Sequence, residues 1–520
     1  MSQRLFPVGI QDFEKIITRG LVYVDKTEYV YNLAHMGGDA IFLSRPRRFG
    51  KSLLCSTLEY YFQGRKDLFK GLAIEKLEKD WTEYPVFHFD MALCKRDDVA
   101  MVEVQLDQQL QNFEKIYGCS GGGLDAGGRL ERLIRIAHKR TGKEVVLIFD
   151  EYDSPALNVI DDDDKLTAIK SIYNSFYYPV KNLNKYLRFV LITGITKFSQ
   201  MSIFSTINNL TNISMDEEWE GLCGITTKEL EENFKDDIAE LALKYKLTPN
   251  AMLQRLRDRY DGYHFGSAMV DVYNPFSIVN TFSRMKLDDY WFSSATPAAL
   301  IKILDLYQFK LTDIENKKVY LSSFDQPFDN MRSAIPILYQ SGYLTIKDCD
   351  FIDGIYTLGI PNGEVYSGLY NTLMPLYLSP SDDDNTSLLM TVQRAMREED
   401  IDAALTAVQS YLSALPYDLS NKTERDFETI LKVLFDCLGI KTDTEVKNAR
   451  GRCDVVMKSR NTIYVLELKI SSTATVDDAL AQIDEKNYLI PYWNDPRRKV
   501  KVGVTVDPET RTIKEWKINA

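Results

Sequence analysis

The chain has 520 residues, 63 Lys+Arg against 75 Asp+Glu for a net charge of −12 at pH 7, and a composition that is 45% hydrophobic and 27% charged. This balance excludes disorder as the main state and excludes a small, wholly basic nucleic-acid packaging protein, although a local basic groove is compatible with it. At about 100 to 200 residues per domain, the length predicts three or four units, each large enough to bury its own core. The seven cysteines form no Cys-x-x-Cys pair and the four histidines form no sequence cluster. Neither a zinc site nor a disulfide framework is expected, and an odd cysteine count fits a reducing cytosol. No leader-like start and no run of eighteen apolar residues is found, so a cytoplasmic protein without a membrane segment is expected.

The first two hundred residues alternate short apolar strands with helical stretches. Strands are predicted at Ala40 to Pro46, Pro85 to Met91, Val145 to Asp150 and Arg188 to Gly194, with a helix from about Gly50 to Phe62. Strands separated by helices indicate an α/β fold with a mainly parallel sheet. From Thr226 to about Leu256 the pattern becomes helical, and Trp291 to Gly363 mixes helices with short β runs such as GYLTIK. The polar break SPSDDDNTS (Ser379 to Ser387) reads as a linker. The resulting division is a core at 1–215, a helical subdomain at 216–300, a mixed α+β and winged-helix-like region at 301–378, a helical linker region at 379–420 and a last domain at 421–520.

The strand ending at Pro46 runs into RRFGKSLL, where Gly50, Lys51 and Ser52 match the end of the phosphate-loop pattern GxxxxGK[ST]. The chemistry needs a tight turn whose N–H groups face phosphate, a lysine reaching the β and γ phosphates, and a hydroxyl on Mg²⁺. The helix that begins there adds its positive end. Arg45 stands where the pattern has its first glycine, and helix capping is the competing explanation of Lys-Ser. The run VVLIFDE places Asp150 and Glu151 at the end of a buried strand, where α/β proteins bind ligands. Asp150 is expected to hold Mg²⁺ and Glu151 to polarise an attacking water. In LITGITKF, Thr193 or Thr196 is placed to reach a γ-phosphate, with strand-end polarity as the alternative. Arg45, Arg47 and Arg48 are candidate phosphate contacts in this or an adjoining protomer.

The runs YVDKT, SRPRRFGKSLL, IFDEYDSP and TGITKFS, followed by YDGYHFG, VYNPFS and LYQSGYLTI, resemble the AAA-ATPase-like family found in many bacterial proteins. The resemblance spans residues 1 to 300 and continues more loosely to about 370. In that family RPRRFGK[ST] is the usual form of the loop, so Arg45 is a family feature. The resemblance implies a P-loop NTPase sheet with a helical lid, and ATP binding with Mg²⁺ through Arg47, Arg48, Gly50, Lys51, Ser52, Asp150 and Thr193.

Towards the C-terminus, an amphipathic helix is predicted at Thr423 to Ile440, then strands GRCDVVM and TIYVLELKI joined by a hairpin. Period two puts Glu467 and Lys469 on one face of the second strand and Tyr464, Leu466 and Leu468 on the other. Asp454 and Glu467 on paired strands can bind Mg²⁺, and Lys469 can activate water and stabilise charge on a scissile phosphate. The spacing Asp, twelve residues, Glu-Leu-Lys resembles the PD-(D/E)XK nuclease superfamily from about Glu424 to the end. That resemblance implies a restriction-endonuclease-like α/β domain, an acidic residue on the preceding helix (Glu424 first, Glu428 second) and a helix motif at Gln482, Lys486 and Tyr488. Arg450, Arg452, Arg497, Arg498, Lys499 and Lys501 are candidate phosphate contacts. The expected protein couples an ATPase to a Mg²⁺-dependent nuclease acting on DNA before RNA. The alternative is a nucleotide-dependent switch or scaffold that binds protein or nucleic acid and cleaves nothing. A homo-oligomer and a protein partner are compatible with either.

Overall fold

The computed structural model describes residues 4–37, 40–94, 98–159, 162–197, 210–294, 304, 307, 317–326, 333–350, 352–377, 382–414, 431, 441–448, 451–459, 461–507, 509–510 and 512–519. They form two compact units that divide between Glu364 and Val365. Among the described residues no helix is long and apolar enough to cross a membrane.

The first unit is built on strands β1 (Ala40–Ser44), β2 (Val86–Asp90), β3 (Val145–Asp150), β4 (Leu187–Gly194) and β5 (Leu210–Asn212). All pair in parallel, in the order β2-β3-β4-β1-β5. Every residue of VVLIFD is buried, as expected of a central strand covered on both faces. From β1 the chain crosses to the far edge at β2 and returns through β3 and β4, while β5 lies on the other side of β1. The strand order therefore reverses at β1, and in open α/β sheets such a point, at the carboxyl ends of the strands, is where ligands bind. The helix Lys51–Phe62 follows β1 directly.

After the sheet come β6 (Ile225–Thr226) and the helices Thr227–Asn233, Lys235–Lys244 and Pro249–Tyr260, then β7 (Val272–Tyr273), which pairs with β6. Leu230, Phe234, Leu241 and Leu256 form the core of this helical group. Strands β8 (Lys317–Tyr320), β9 (Thr345–Asp350) and β10 (Ile355–Gly359) make a separate antiparallel sheet with β10 in the middle.

In the second unit, β11 (Lys441–Asn448), β12 (Gly451–Lys458), β13 (Thr462–Ile470), β14 (Arg498–Asp507) and β15 (Thr512–Asn519) form one sheet in sequential order. Only the β13/β14 pair is parallel, and the helix Val476–Glu485 lies in the connection that a parallel pair requires. The two faces of β13 enter different cores. Tyr464, Leu466 and Leu468 pack with Val392, Leu405 and Val408, whereas Ile463 and Val465 pack with Leu480 and Ile483. The region expected as a helical linker contains the helices Asp382–Arg397 and Ile401–Ala414, and their apolar residues pack in the sheet's own core. Of the helix predicted at Thr423 to Ile440 only Leu431 is among the described residues, buried in the same core as Leu405 and Leu466.

The end of β4 is fixed by a fully buried carboxylate. Asp153 Oδ2 accepts from the backbone N–H groups of Ile195 (3.0 Å) and Thr196 (2.6 Å) and from Thr196 Oγ1 (2.7 Å). Burial pushes this carboxyl up, and the bonds from Thr196 oppose the shift. The approach is close enough that a Cβ on Gly194 would stand 2.6 Å from both Asp153 Oδ1 and the Tyr152 ring. Gly194→Ala is therefore expected to destabilise the first unit by roughly 1–3 kcal/mol through overpacking, seen as a lower thermal unfolding midpoint. An unchanged midpoint contradicts this packing.

Candidate active sites in the two units

The loop after β1 contains two left-handed residues, Arg48 (φ 66°) and Gly50 (φ 95°). Gly50 is the N-cap of the helix Lys51–Phe62 and supplies no side-chain cap, so the first-turn N–H groups are left to a ligand. Lys51 is only 4% exposed, and its Nζ donates to the carbonyls of Arg45 (2.9 Å) and Pro46 (3.0 Å). The ammonium is thus folded under its own loop, held by neutral acceptors that an anionic phosphate oxygen can outcompete. Ser52, the next residue, sits in the first helical turn.

Opposite the loop, Asp150 is buried at the end of β3 and accepts a 2.6 Å hydrogen bond from Thr193 Oγ1 on β4. Glu151 follows with φ 50°, a conformation that costs a non-glycine residue of order 1–3 kcal/mol and that clusters at functional positions. Its carboxylate accepts from Ser154 Oγ at 3.2 Å. Lys51, Ser52, Asp150, Glu151 and Thr193 thus occupy the carboxyl ends of β1, β3 and β4.

Two candidates are diverted elsewhere. Arg45 is 1% exposed, and its guanidinium donates to the carbonyls of Ser44 (2.9 Å), Ser214 (2.7 Å) and Trp219 (2.9 Å) while lying 4.3 Å from the centre of the Phe265 ring. It fastens the loop to residues 214–219 and is not available to a phosphate. Thr196 gives its hydroxyl and N–H to Asp153. Arg47 is half-buried and its carbonyl accepts from Trp291 Nε1 (2.9 Å), whereas Arg48 is exposed with its guanidinium 5.0 Å from the Phe276 ring centre.

Beside Gly50 lies a mainly apolar cavity of about 110 Å³, whose lining includes Tyr23, Lys26, Leu53, Phe234 and Pro275. Lys26 Nζ is held by the Gly221 carbonyl and the Glu229 carboxylate, both at 2.6 Å. Burial depresses the Lys26 ammonium pKa and Glu229 opposes this. The cavity was missed in the sequence because its walls come from four distant segments. The YVDKT run was its one local signal.

In the second unit, Asp454 on β12 and Glu467 on β13 are 6% and 1% exposed. Asp454 Oδ2 accepts from the Leu468 N–H at 2.8 Å, which docks the carboxylate against β13. Lys469 Nζ donates to Glu467 Oε1 at 2.8 Å, as the shared face of β13 predicts. Gln482, on the helix Val476–Glu485, also donates to Glu467 Oε1. Glu467 Oε2 is buried without a hydrogen-bond partner among the described residues. Burial first, and then the neighbouring Asp454, push the Glu467 carboxyl up, against the opposing pull of Lys469. A buried carboxylate oxygen with no donor fits a divalent cation, which takes oxygen ligands and removes this penalty. Tyr488 OH donates to the Arg452 carbonyl (2.7 Å) and accepts from Gln482 (3.2 Å), so it positions Gln482 and is one step removed from the carboxylates.

Glu424, Glu428 and Arg450 lie outside the described residues. Among the basic candidates, Arg497 is paired with Asp495 (2.6 Å), Lys499 Nζ donates to the Asp495 carbonyl, and Lys501 is paired with Asp484 (2.5 Å). Arg498 is exposed at the start of β14.

Comparison with known proteins finds a family match over part of each unit. Residues 7–204 match the family model of a predicted AAA-ATPase, and residues 422–516 match that of the PD-(D/E)XK nuclease superfamily. An uncharacterized protein from the vnfD 5′ region of Azotobacter chroococcum mcd 1 is 29% identical over 526 aligned positions, covering 99% of this chain and 98% of its own length. The solved structure of the Aeropyrum pernix ORC2 protein in ADPNP–ADP complexes aligns over 65% of this chain and 87% of its own, at 11% identity and a TM-score of 0.23, a score that supports no structural inference. The chain therefore joins an AAA-ATPase-like domain to a C-terminal PD-(D/E)XK nuclease superfamily domain.

Proposed function

We propose that the chain is an ATP-controlled, metal-dependent nuclease whose first unit binds and hydrolyses ATP and whose second unit hydrolyses phosphodiester bonds, with DNA favoured over RNA. The observation that carries the nuclease reading is the buried Glu467 Oε2, without a partner among the described residues, beside Asp454 and Lys469. A bound Mg²⁺ there would supply Lewis acidity toward the scissile phosphate and lower the pKa of water. Asp454 and Glu467 hold the cation, Gln482 fixes the Glu467 rotamer, and Lys469 neutralises charge developing on the phosphate oxygens. Arg452, exposed on β12 two residues before Asp454, is a candidate for a backbone contact that carries no sequence information, whereas Arg498 lies opposite Thr462 at the far end of the strand pair.

In the first unit, Lys51 would exchange its two loop carbonyls for β- and γ-phosphate oxygens, Ser52 and Asp150 would hold Mg²⁺, and Glu151 would orient the attacking water. The apolar cavity beside Gly50 accepts the base, with Tyr23 and Phe234 in its walls. Arg48, exposed beside the loop, suits a phosphate contact in its own protomer or in an oligomeric neighbour.

One feature favours a non-cleaving switch or scaffold as the second reading. Lys469, Glu467 and Gln482 already form a bonded polar cluster, which an inactive descendant would also retain. Cleavage assays on plasmid, linear and single-stranded DNA with Mg²⁺ or Mn²⁺ separate the two. Glu467→Ala is expected to lower the cleavage rate by roughly 100-fold or more while ATP affinity by calorimetry stays unchanged; retained cleavage rejects the site.

Lys51→Ala is expected to weaken ATP binding by about 1.5–3 kcal/mol, the worth of hydrogen bonds to a charged group. Equal affinities for variant and wild type contradict the loop assignment. Because the Glu467 carboxyl is raised, it must lose a proton when a cation binds. Mg²⁺ or Mn²⁺ affinity at this site should therefore rise with pH through that raised value and level off above it. Calorimetry in buffers of different ionisation enthalpy should register the released proton, and pH-independent affinity contradicts the assignment.

A further inference from the structure

The helix Lys51–Phe62 and strands β2 and β3 bring together three groups that are scattered in sequence. Along β2 the burial alternates, with Phe87 and Phe89 fully buried on one face and Val86, His88 and Asp90 on the other. Asp90 is in register with Asp150, so His88 stands two residues back on the neighbouring strand. Cys55 and Glu59 are one turn apart on the helix and share a face. The Cys55 sulfur, a His88 ring nitrogen and an Asp150 carboxylate oxygen all lie within 4.8 Å of one another. Cys55 is fully buried and Asp150 is 4% exposed.

The state of the imidazole gives a second, independent observation. His88 Nδ1 lies 2.7 Å from Glu59 Oε2, while Nε2 is buried with no hydrogen-bond partner among the described residues. A carboxylate on one ring nitrogen fixes the tautomer and leaves the lone pair of the other free, as is general for metal-binding histidines. An orphaned buried nitrogen is costly unless a ligand meets it.

We propose that Cys55, His88 and Asp150 form a binding site for a borderline-soft divalent cation of the zinc class, with Glu59 as the outer carboxylate. One sulfur, one nitrogen and one oxygen ligand suit Zn²⁺, and three protein ligands leave its fourth tetrahedral position to water. A hard cation such as Mg²⁺ is disfavoured by the thiolate and imidazole. Occupation deprotonates Cys55 and releases that proton to solvent. Asp150 is shared with the nucleotide site, so the cation would compete with Mg²⁺ there. That consequence rests on the nucleotide reading, whereas the site itself does not.

The test is a Co²⁺ titration of the full-length chain, reduced and stripped with EDTA, followed by absorption. A thiolate-to-cobalt charge-transfer band in the near ultraviolet that saturates at a single equivalent and is displaced by Zn²⁺ is expected. Cys55→Ser should remove the band, with folding checked by circular dichroism. Glu59→Gln, which alters no ligand, should retain the band and weaken affinity about 10- to 100-fold. No band in the wild type, a band that persists in Cys55→Ser, or unchanged affinity in Glu59→Gln overturns the proposal. Because no nucleotide is present, failure of the ATP reading leaves these outcomes unaffected.

Discussion

A buried 2.6 Å hydrogen bond from Thr193 to Asp150 links the ends of β4 and β3, and the geometry of the first site depends on it. The sheet order sets β4 between the strand that carries the phosphate loop and the strand that carries the acids. Any shift of β4 would therefore separate Lys51 from Asp150. Asp153, buried and bonded to residues 195 and 196, fixes the turn beyond β4, and the missing side chain at Gly194 lets Tyr152 pack against it. Of the acids in DEYD, Asp150 faces the candidate site, Asp153 is spent on this structural clamp, and Glu151 holds a left-handed conformation. Charge inside a low-dielectric core is tolerated only with donors or a cation to meet it.

The second unit follows the same physics with different parts. Asp454 and Glu467 are held in the interior by a backbone donor, a lysine and a glutamine, with one oxygen left unmet among the described residues. Burial and mutual repulsion raise the Glu467 carboxyl, which makes its protonation state and cation affinity a linked equilibrium. The carboxylates lie on adjacent strands and the lysine two residues along, so the sheet register sets their spacing with no help from loops.

Much of this was legible because the chemistry is local in sequence. Gly50-Lys51-Ser52 follows a strand directly, Asp150 and Glu151 end another, and the alternation of β13 fixes which side Glu467 and Lys469 share. Long-range partners were not legible. Arg45 reads as a phosphate ligand until Ser214 and Trp219 accept its guanidinium, and Thr196 reads as a γ-phosphate contact until Asp153 takes its hydroxyl. The edge strands β11 and β15 are not legible because KTDTEVKN and TIKEWKIN are rich in charged residues, as exposed sheet edges often are. The helical character of 379–420 is legible, but the entry of Val392, Leu405 and Val408 into the core of the C-terminal sheet is not, because their partners lie far along the chain. Cys55 and His88 have no sequence spacing that marks a metal site. Only the packing of helix on sheet brings them to Asp150.

The central claim is that nucleotide at Lys51 governs hydrolysis at Glu467, and it is tested most directly by the rate of DNA cleavage measured against ATP concentration in wild type and in Lys51→Ala. The account predicts that ATP changes the wild-type rate with a saturating dependence and leaves the Lys51→Ala rate flat. Identical ATP responses in the two proteins, or a wild-type rate indifferent to ATP, would contradict it.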